Sequence, residues 1–249
     1  MSETADLLLG CTVLLGASVQ RMSGIGFALV AAPVLVLLLG PGQGVVLANC
    51  SAGAISAIGL LGGWRQVRLR AMLPLVAAAA CTVPAGSWVV SRLPEPALLT
   101  GMGVLVCAGV LTVMGGARMP ALRGAGGALA AGAASGFMNS SAGVGGPALS
   151  LYAVNADWTA REFVPNAQFY GVVVNALSVA VKGLPNLPPA RWVLVGAGIA
   201  TGAVIGKALA ERVPERWARL IVLLLSLAGG LTTLAKGLSG LCVFGACAG

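Results

Sequence analysis

The chain has no histidine and only seven acidic residues among its 249 positions. Without histidine, the commonest general base and the commonest metal ligand are both missing. The six cysteines (Cys11, Cys50, Cys81, Cys107, Cys242, Cys247) are scattered and read as small packing residues, with ligation or pairing of Cys242 and Cys247 left open. Glu3, Asp6, Glu95, Asp157, Glu162, Glu211 and Glu215 all fall at the N-terminus or in joints between apolar stretches, so no carboxylate is expected inside an apolar layer. Catalysis needs a nucleophile with a base, or a metal, so the chain reads as not an enzyme and no cofactor is expected. Cation pathways and proton relays use intramembrane acids or histidines, and they are disfavoured on the same ground.

Charge is scarce too: 9% of residues are charged and 58% are hydrophobic, with a mean hydropathy of +0.95. A soluble domain carries roughly a quarter charged residues, so this composition describes a polytopic membrane protein in one membrane domain. The net charge of +8 lies mostly in joints, where Arg and Lys orient a chain in the bilayer. Nucleic acid is therefore excluded as a partner. A signal peptide is not expected, since Glu3 and Asp6 stand where a positive segment belongs.

Residues 5 to 39 are apolar except for an interruption from Gln20 to Gly26. This predicts half-helices of about 15 and 13 residues, roughly 20 Å each and short of a hydrocarbon core of about 30 Å. Pro41 and Gly42 turn the chain. Continuous helices follow at about 44–63, ending in the basic joint Arg65, Arg68 and Arg70, at about 72–91, stopped by Pro94 and Pro96, and at about 97–117, ending at Arg118 and Arg123.

The pattern then restarts. Gly24-Ile25-Gly26 recurs as Gly143-Val144-Gly145, shifted by 119, Asn49 recurs as Asn166, shifted by 117, and the Arg-Leu-Pro-Glu ending at Glu95 recurs as Arg-Val-Pro-Glu ending at Glu215, shifted by 120. The expected fold is an all-α membrane protein of two homologous four-helix halves, 1–120 and 121–240, each starting with a broken helix, followed by a short tail over 241–249. If each broken element enters and leaves on one face, the halves are inverted, with ten Arg or Lys inside and four outside; if each crosses, they are parallel, with eight and six. The stronger bias favours inverted repeats with re-entrant elements.

A helix that restarts inside a bilayer has unpaired N–H groups and a positive dipole end, so half-helices beginning near Phe27 and Pro147 suit an anion. The candidate binding residues are Gln20, Arg21, Ser23, Gly24 and Gly26 at the first break and Asn139, Ser140, Ser141, Gly143, Gly145 and Gly146 at the second. Asn49, Asn166, Gln168 and Tyr170 on the following helices join them. Arg21 is the intramembrane cation expected to select charge. Close helix packing explains most of the 37 glycines, an interhelical hydrogen bond would explain Asn49 and Asn166, and Arg21 could instead snorkel to an interface. Polar clusters at the same place in both halves are what packing alone leaves unexplained.

The stretch Gly24 to Pro33 (GIGFALVAAP), its partner Ser141 to Leu149 (SAGVGGPAL) and the two-fold repeat together resemble the sulfite exporter TauE/SafE family of membrane transporters. The resemblance implies movement of sulfite, sulfonates or other small organic anions, commonly outward across the bacterial inner membrane. It assigns Gly24, Gly26, Gly143, Gly145, Gly146 and Pro147 to the family's glycine-rich breaks. The first half departs from it, with Phe27 and Ala28 where the second has Gly146 and Pro147. The expected function is a small-anion transporter working by alternating access at the two breaks, with an anion channel at the same site as the alternative. Expected partners are the anion and membrane lipid, with a homodimer allowed.

Overall fold

The computed structural model describes residues 3–115, 122–213 and 215–247. Nine helices follow one another in them: α1 (Glu3–Ser23), α2 (Phe27–Leu60), α3 (Leu69–Arg92), α4 (Glu95–Met114), α5 (Gly124–Ala142), α6 (Gly146–Asn155), α7 (Ala160–Lys182), α8 (Pro189–Ala210) and α9 (Glu215–Cys247). Seven of them, all but α5 and α6, contain a stretch long and apolar enough to cross a bilayer, so the all-α polytopic class expected from composition is the class observed. Arg118 and the expected boundary between residues 120 and 121 lie outside the described residues. α9 continues to Cys247, so residues 241–247 extend a helix where the sequence suggested a tail. The contemplated Cys242–Cys247 pairing falls outside the described side chains. Cys11 and Cys81 are exposed on their helices, which corrects their reading as packing residues.

The first arm of each broken element is longer than a half-helix. α1 has 21 residues, about 31 Å, because Gln20, Arg21 and Ser23 do not interrupt it. The Ser23 hydroxyl bonds back to the Val19 carbonyl (2.8 Å), which absorbs its polarity within the helix. The short pieces are the second arms.

α2 is itself two arms, α2a over 27–39 and α2b over 41–60. Gly40, with φ 81° and ψ 163°, stands outside helical geometry, and the chain reverses there. Gly44 comes so close to Leu35 and Val36 that a Cβ on it would sit 2.5 Å from the Val36 Cα. α1 and α2a also fold back on each other, with Gly16 against Phe27 and Ala31. In the second broken element, Arg123 at the start of α5 donates to the Asn155 carbonyl at the end of α6 (3.1 Å) and pairs with Asp157 (3.6 Å). α5 and α6 therefore form a hairpin as well.

Two ends of the bundle follow from these contacts. Arg68 pairs with Glu162, joining the α2–α3 joint to the start of α7, and Arg123 stands at this basic end through the short α6–α7 joint. At the far end Asp6 pairs with Arg191 (2.8 Å), and Gln43 Oε1 accepts from the Asn186 N–H (2.7 Å). The α1–α2a hairpin thus enters from the far end and the α5–α6 hairpin from the basic end, and the breaks meet between them.

The hairpins are embedded by small-residue contacts that let backbones approach. Gly198, Gly202 and Gly206 of α8 lie along α1 in parallel, facing Gly10, Leu14 and Ser18 in turn. Gly132 and Gly136 of α5 lie along α3 in parallel, facing Leu75 and Ala79. α4 and α9 run antiparallel, Gly103 against Leu234 and Gly240 against Pro96. α2b and α7 are also antiparallel, Gly53 against Asn175 and Gly59 against Gln168.

Candidate functional site

Each break is made by glycines in backbone regions that other residues avoid. Gly24 (φ 83°) ends α1 by donating to the Gln20 carbonyl (2.8 Å), and Gly26 (φ 128°) opens α2. In the second hairpin Gly143 (φ 75°) is the left-handed cap of α5. Its N–H bonds the Asn139 carbonyl (2.9 Å), and Val144 N–H bonds the Met138 carbonyl (3.3 Å), an ending that satisfies the last carbonyls. Gly145 then starts α6, with Pro147 in its first turn. Neither α2 nor α6 has a side-chain cap at its N-terminus. Their first N–H groups are left without helical partners.

Both starts face one cavity of about 60 Å³, walled by Gly24, Gly26 and Ala28 from one hairpin, Gly145 and Gly146 from the other, and Tyr170 from α7. That volume admits about four water-sized groups. Beside it a second cavity of about 500 Å³ shares Ile25 and Leu29 as a wall and reaches the basic end, at Trp158 and Val213 in the joints and Phe163 in the first turn of α7. This vestibule is apolar apart from hydroxyls such as Ser23 and Ser150.

Side-chain amides and hydroxyls brace the breaks. Gln20 Nε2 donates to Ser56 Oγ (2.7 Å), and Gln168 Nε2 donates to the Gly24 carbonyl (2.8 Å). Asn139 Nδ2 donates to Asn175 Oδ1 (3.2 Å) and Ser178 Oγ (3.0 Å). Asn49 Nδ2 donates to the Asn139 carbonyl (3.4 Å), while its Oδ1 is buried with no hydrogen-bond partner among the described residues. Ser135 Oγ donates to the Gly145 carbonyl (2.7 Å).

Of the residues singled out from sequence, Gln20, Gly24, Gly26, Asn139, Gly145, Gly146 and Tyr170 line the small cavity. Asn49, Gln168 and Gly143 stand directly behind it. Ser23 lines the vestibule instead. Four lie elsewhere. The Arg21 Cβ faces Gly206 of α8, since that helix face packs on α8. Ser140 and Ser141 return their hydroxyls to the Phe137 carbonyl (3.3 and 2.7 Å). Asn166 accepts from the Arg68 N–H (2.8 Å) and donates to the Glu162 carbonyl (2.7 Å), pinning the basic joint rather than meeting the cavity.

Sequence reasoning missed Ser56 and Ser178 as partners of the bracing amides. A signal existed: Ser56 and Asn175 are 119 positions apart, as are their partners Gln20 and Asn139. It also missed Lys182, which reads as an ordinary joint cation; its ammonium donates to the Ser140 carbonyl at the end of α5.

No curated protein and no solved structure matches the chain. A family model does, that of the sulfite exporter TauE/SafE, over residues 8–233.

Proposed function

Because the chain belongs to the sulfite exporter TauE/SafE family, we propose that it moves a small oxyanion of the sulfite or sulfonate class outward across a bacterial inner membrane, by alternating access at the two glycine breaks. That it is an integral membrane protein of a transporter family follows from the match and from the seven apolar helices among the described residues. The observation that carries the rest is the convergence of two uncapped helix starts, from opposite hairpins, on one cavity of about 60 Å³. Their positive dipole ends and free N–H groups would bind a compact anion without any charged side chain.

The packing supports two inverted repeats. α4 packs on α9 and α2b on α7, each pair antiparallel, whereas α1 on α8 and α3 on α5 are parallel. Exchanging the two halves turns each of these contacts into itself or into the other. An axis in the membrane plane reverses helix direction and predicts the antiparallel pairs; an axis along the normal would make them parallel. With the basic end read as cytoplasmic, the vestibule opens toward the cytoplasm, as loading for export requires. Beyond the cavity, the bonds from Asn139 to Asn175 and Ser178 join α5 to α7, which favours a carrier over a continuous pore. The site lies within one chain, so the transport unit we propose is the monomer, whether or not two copies associate as a homodimer.

Outward movement of an anion gains about 2.3 kcal/mol per charge per 100 mV from an inside-negative potential, so no coupling ion is needed. The test is flux of labelled sulfite from liposomes containing the protein, under an imposed potential and without sodium or proton gradients. Flux that follows the potential is expected. Flux that begins only when a sodium or proton gradient is added overturns the uncoupled reading, and no flux of sulfite, taurine or acetate under any condition overturns the anion reading.

A further inference from the structure

Gly171, Asn175, Ser178 and Lys182 fall at helical spacing along one face of α7, from the small cavity toward the far end. Asn175 lines the cavity, Ser178 is fully buried, and the Lys182 ammonium reaches down to the Ser140 carbonyl. That carbonyl belongs to the last turn of α5, the negative end of its dipole. Three bonds therefore close α5 onto α7 on the side away from the vestibule: Asn139 to Asn175, Asn139 to Ser178, and Lys182 to Ser140. Among the described residues Lys182 has no acidic partner. A cation held only by a carbonyl is free to exchange that oxygen for an anionic one, because a charged acceptor binds an ammonium roughly twice as strongly as a neutral one.

We propose that Lys182 is the latch and the anion-selecting group of the far-side gate. In the arrangement seen here its bond to Ser140 keeps α7 against α5 while the vestibule side is open. When the anion moves past Asn175, the ammonium releases the carbonyl and becomes the counter-ion on the way out. The inference rests on the anion-carrier reading above and adds to it the residue that sets passage on the exit side.

Lys182→Met removes the charge and keeps the length, whereas Lys182→Arg keeps the charge. Flux from reconstituted vesicles is measured against sulfite concentration on the vestibule side, for variants that stay monodisperse in detergent. The expected result is a fall in maximal rate of about tenfold or more in Lys182→Met, with the half-saturating concentration changed less than about twofold and the rate largely kept in Lys182→Arg. Wild-type flux in Lys182→Met, or equal loss in both variants, overturns the proposal. Amide exchange is read in parallel, independently of any cargo: residues 139–143 and 178–182 should exchange about tenfold faster in Lys182→Met than in the wild type. Unchanged exchange overturns the latch even if the wild type moves no sulfite; absent wild-type flux with faster exchange in Lys182→Met faults the carrier reading and keeps the latch.

Discussion

Asn49 and Gln168 brace the breaks across the two halves: Gln168 Nε2 donates to the carbonyl of Gly24, and Asn49 Nδ2 donates to that of Asn139, beside Gly143. The two amides are 119 positions apart, as are Gly24 and Gly143. Each half thus holds the other half's break in place. The counterpart of Asn49 by surroundings is Gln168 and not Asn166, whose amide ties the basic joint.

The two braces are unequal, and their removal should show it. Gln168 is bonded at both ends of its amide, with Oε1 accepting from Gln20 (3.5 Å), whereas Asn49 has one long bond and an unpaired oxygen. Gln168→Met leaves buried groups unpaired, at about 1–3 kcal/mol each. Asn49→Leu removes an unsatisfied oxygen and should cost less than about 1 kcal/mol. Thermal unfolding in detergent should therefore show a clearly larger drop for Gln168→Met; the reverse order would mean the Gly24 carbonyl does not depend on this bond.

Arg21 should prove dispensable for transport. Its Cβ packs on Gly206 and it lines neither cavity. Arg21→Ala is expected to keep anion flux within about twofold of the wild type, with a stability change of about 0.5 kcal/mol or less, as for substitutions away from a buried network. A tenfold loss of flux at unchanged stability would return Arg21 to the role its sequence position suggested.

Neighbouring glycines at the second break should separate folding from binding. A Cβ on Gly145 would sit 2.8 Å from the Ser135 carbonyl and hydroxyl oxygens, so Gly145→Ala must displace the strap that holds the break, at about 1–3 kcal/mol. A Cβ on Gly146 meets nothing nearer than Ile25 Cδ1 at 3.9 Å, so Gly146→Ala should fold normally. Its methyl would enter a cavity of only about 60 Å³ and should lower sulfite flux about tenfold, the signature of a packed site that small changes disturb. Normal flux in Gly146→Ala would argue that the anion binds elsewhere.

The architecture was legible where it depends on pattern along the chain. Gly24, Gly26, Gly143 and Gly145 interrupt apolar sequence, and the helices break at Gly24, Gly26 and Gly143 because only glycine adopts their angles freely. What pattern cannot supply is which way a helix face points once neighbours pack on it. Arg21 and Gln20 are adjacent in sequence, yet one faces α8 and the other the cavity. Ser140 and Ser141 looked like ligands beside Asn139, but hydroxyls on a helix can bond to carbonyls a turn back, and both do. Lys182 stayed hidden because a lysine at a helix end reads as an interfacial residue, and nothing in its neighbourhood names Ser140.

The vestibule gives the arrangement a sidedness that chemistry can read. Phe163 lines it near the basic end, whereas Leu35 is fully buried in the core around the first hairpin. In a background lacking the natural cysteines, Phe163→Cys should react with a membrane-impermeant thiol reagent from one side of the bilayer only. That side should be the one from which Arg70→Cys reacts, since Arg70 is exposed in the first turn of α3 at the basic end. Leu35→Cys should react from neither side, at least about tenfold slower, because thiol modification follows access. Sulfite should slow modification of Phe163→Cys if the vestibule is the route to the breaks. Reaction of Phe163→Cys from the side opposite Arg70→Cys would reverse the loading direction, and with it the link between the basic end and export.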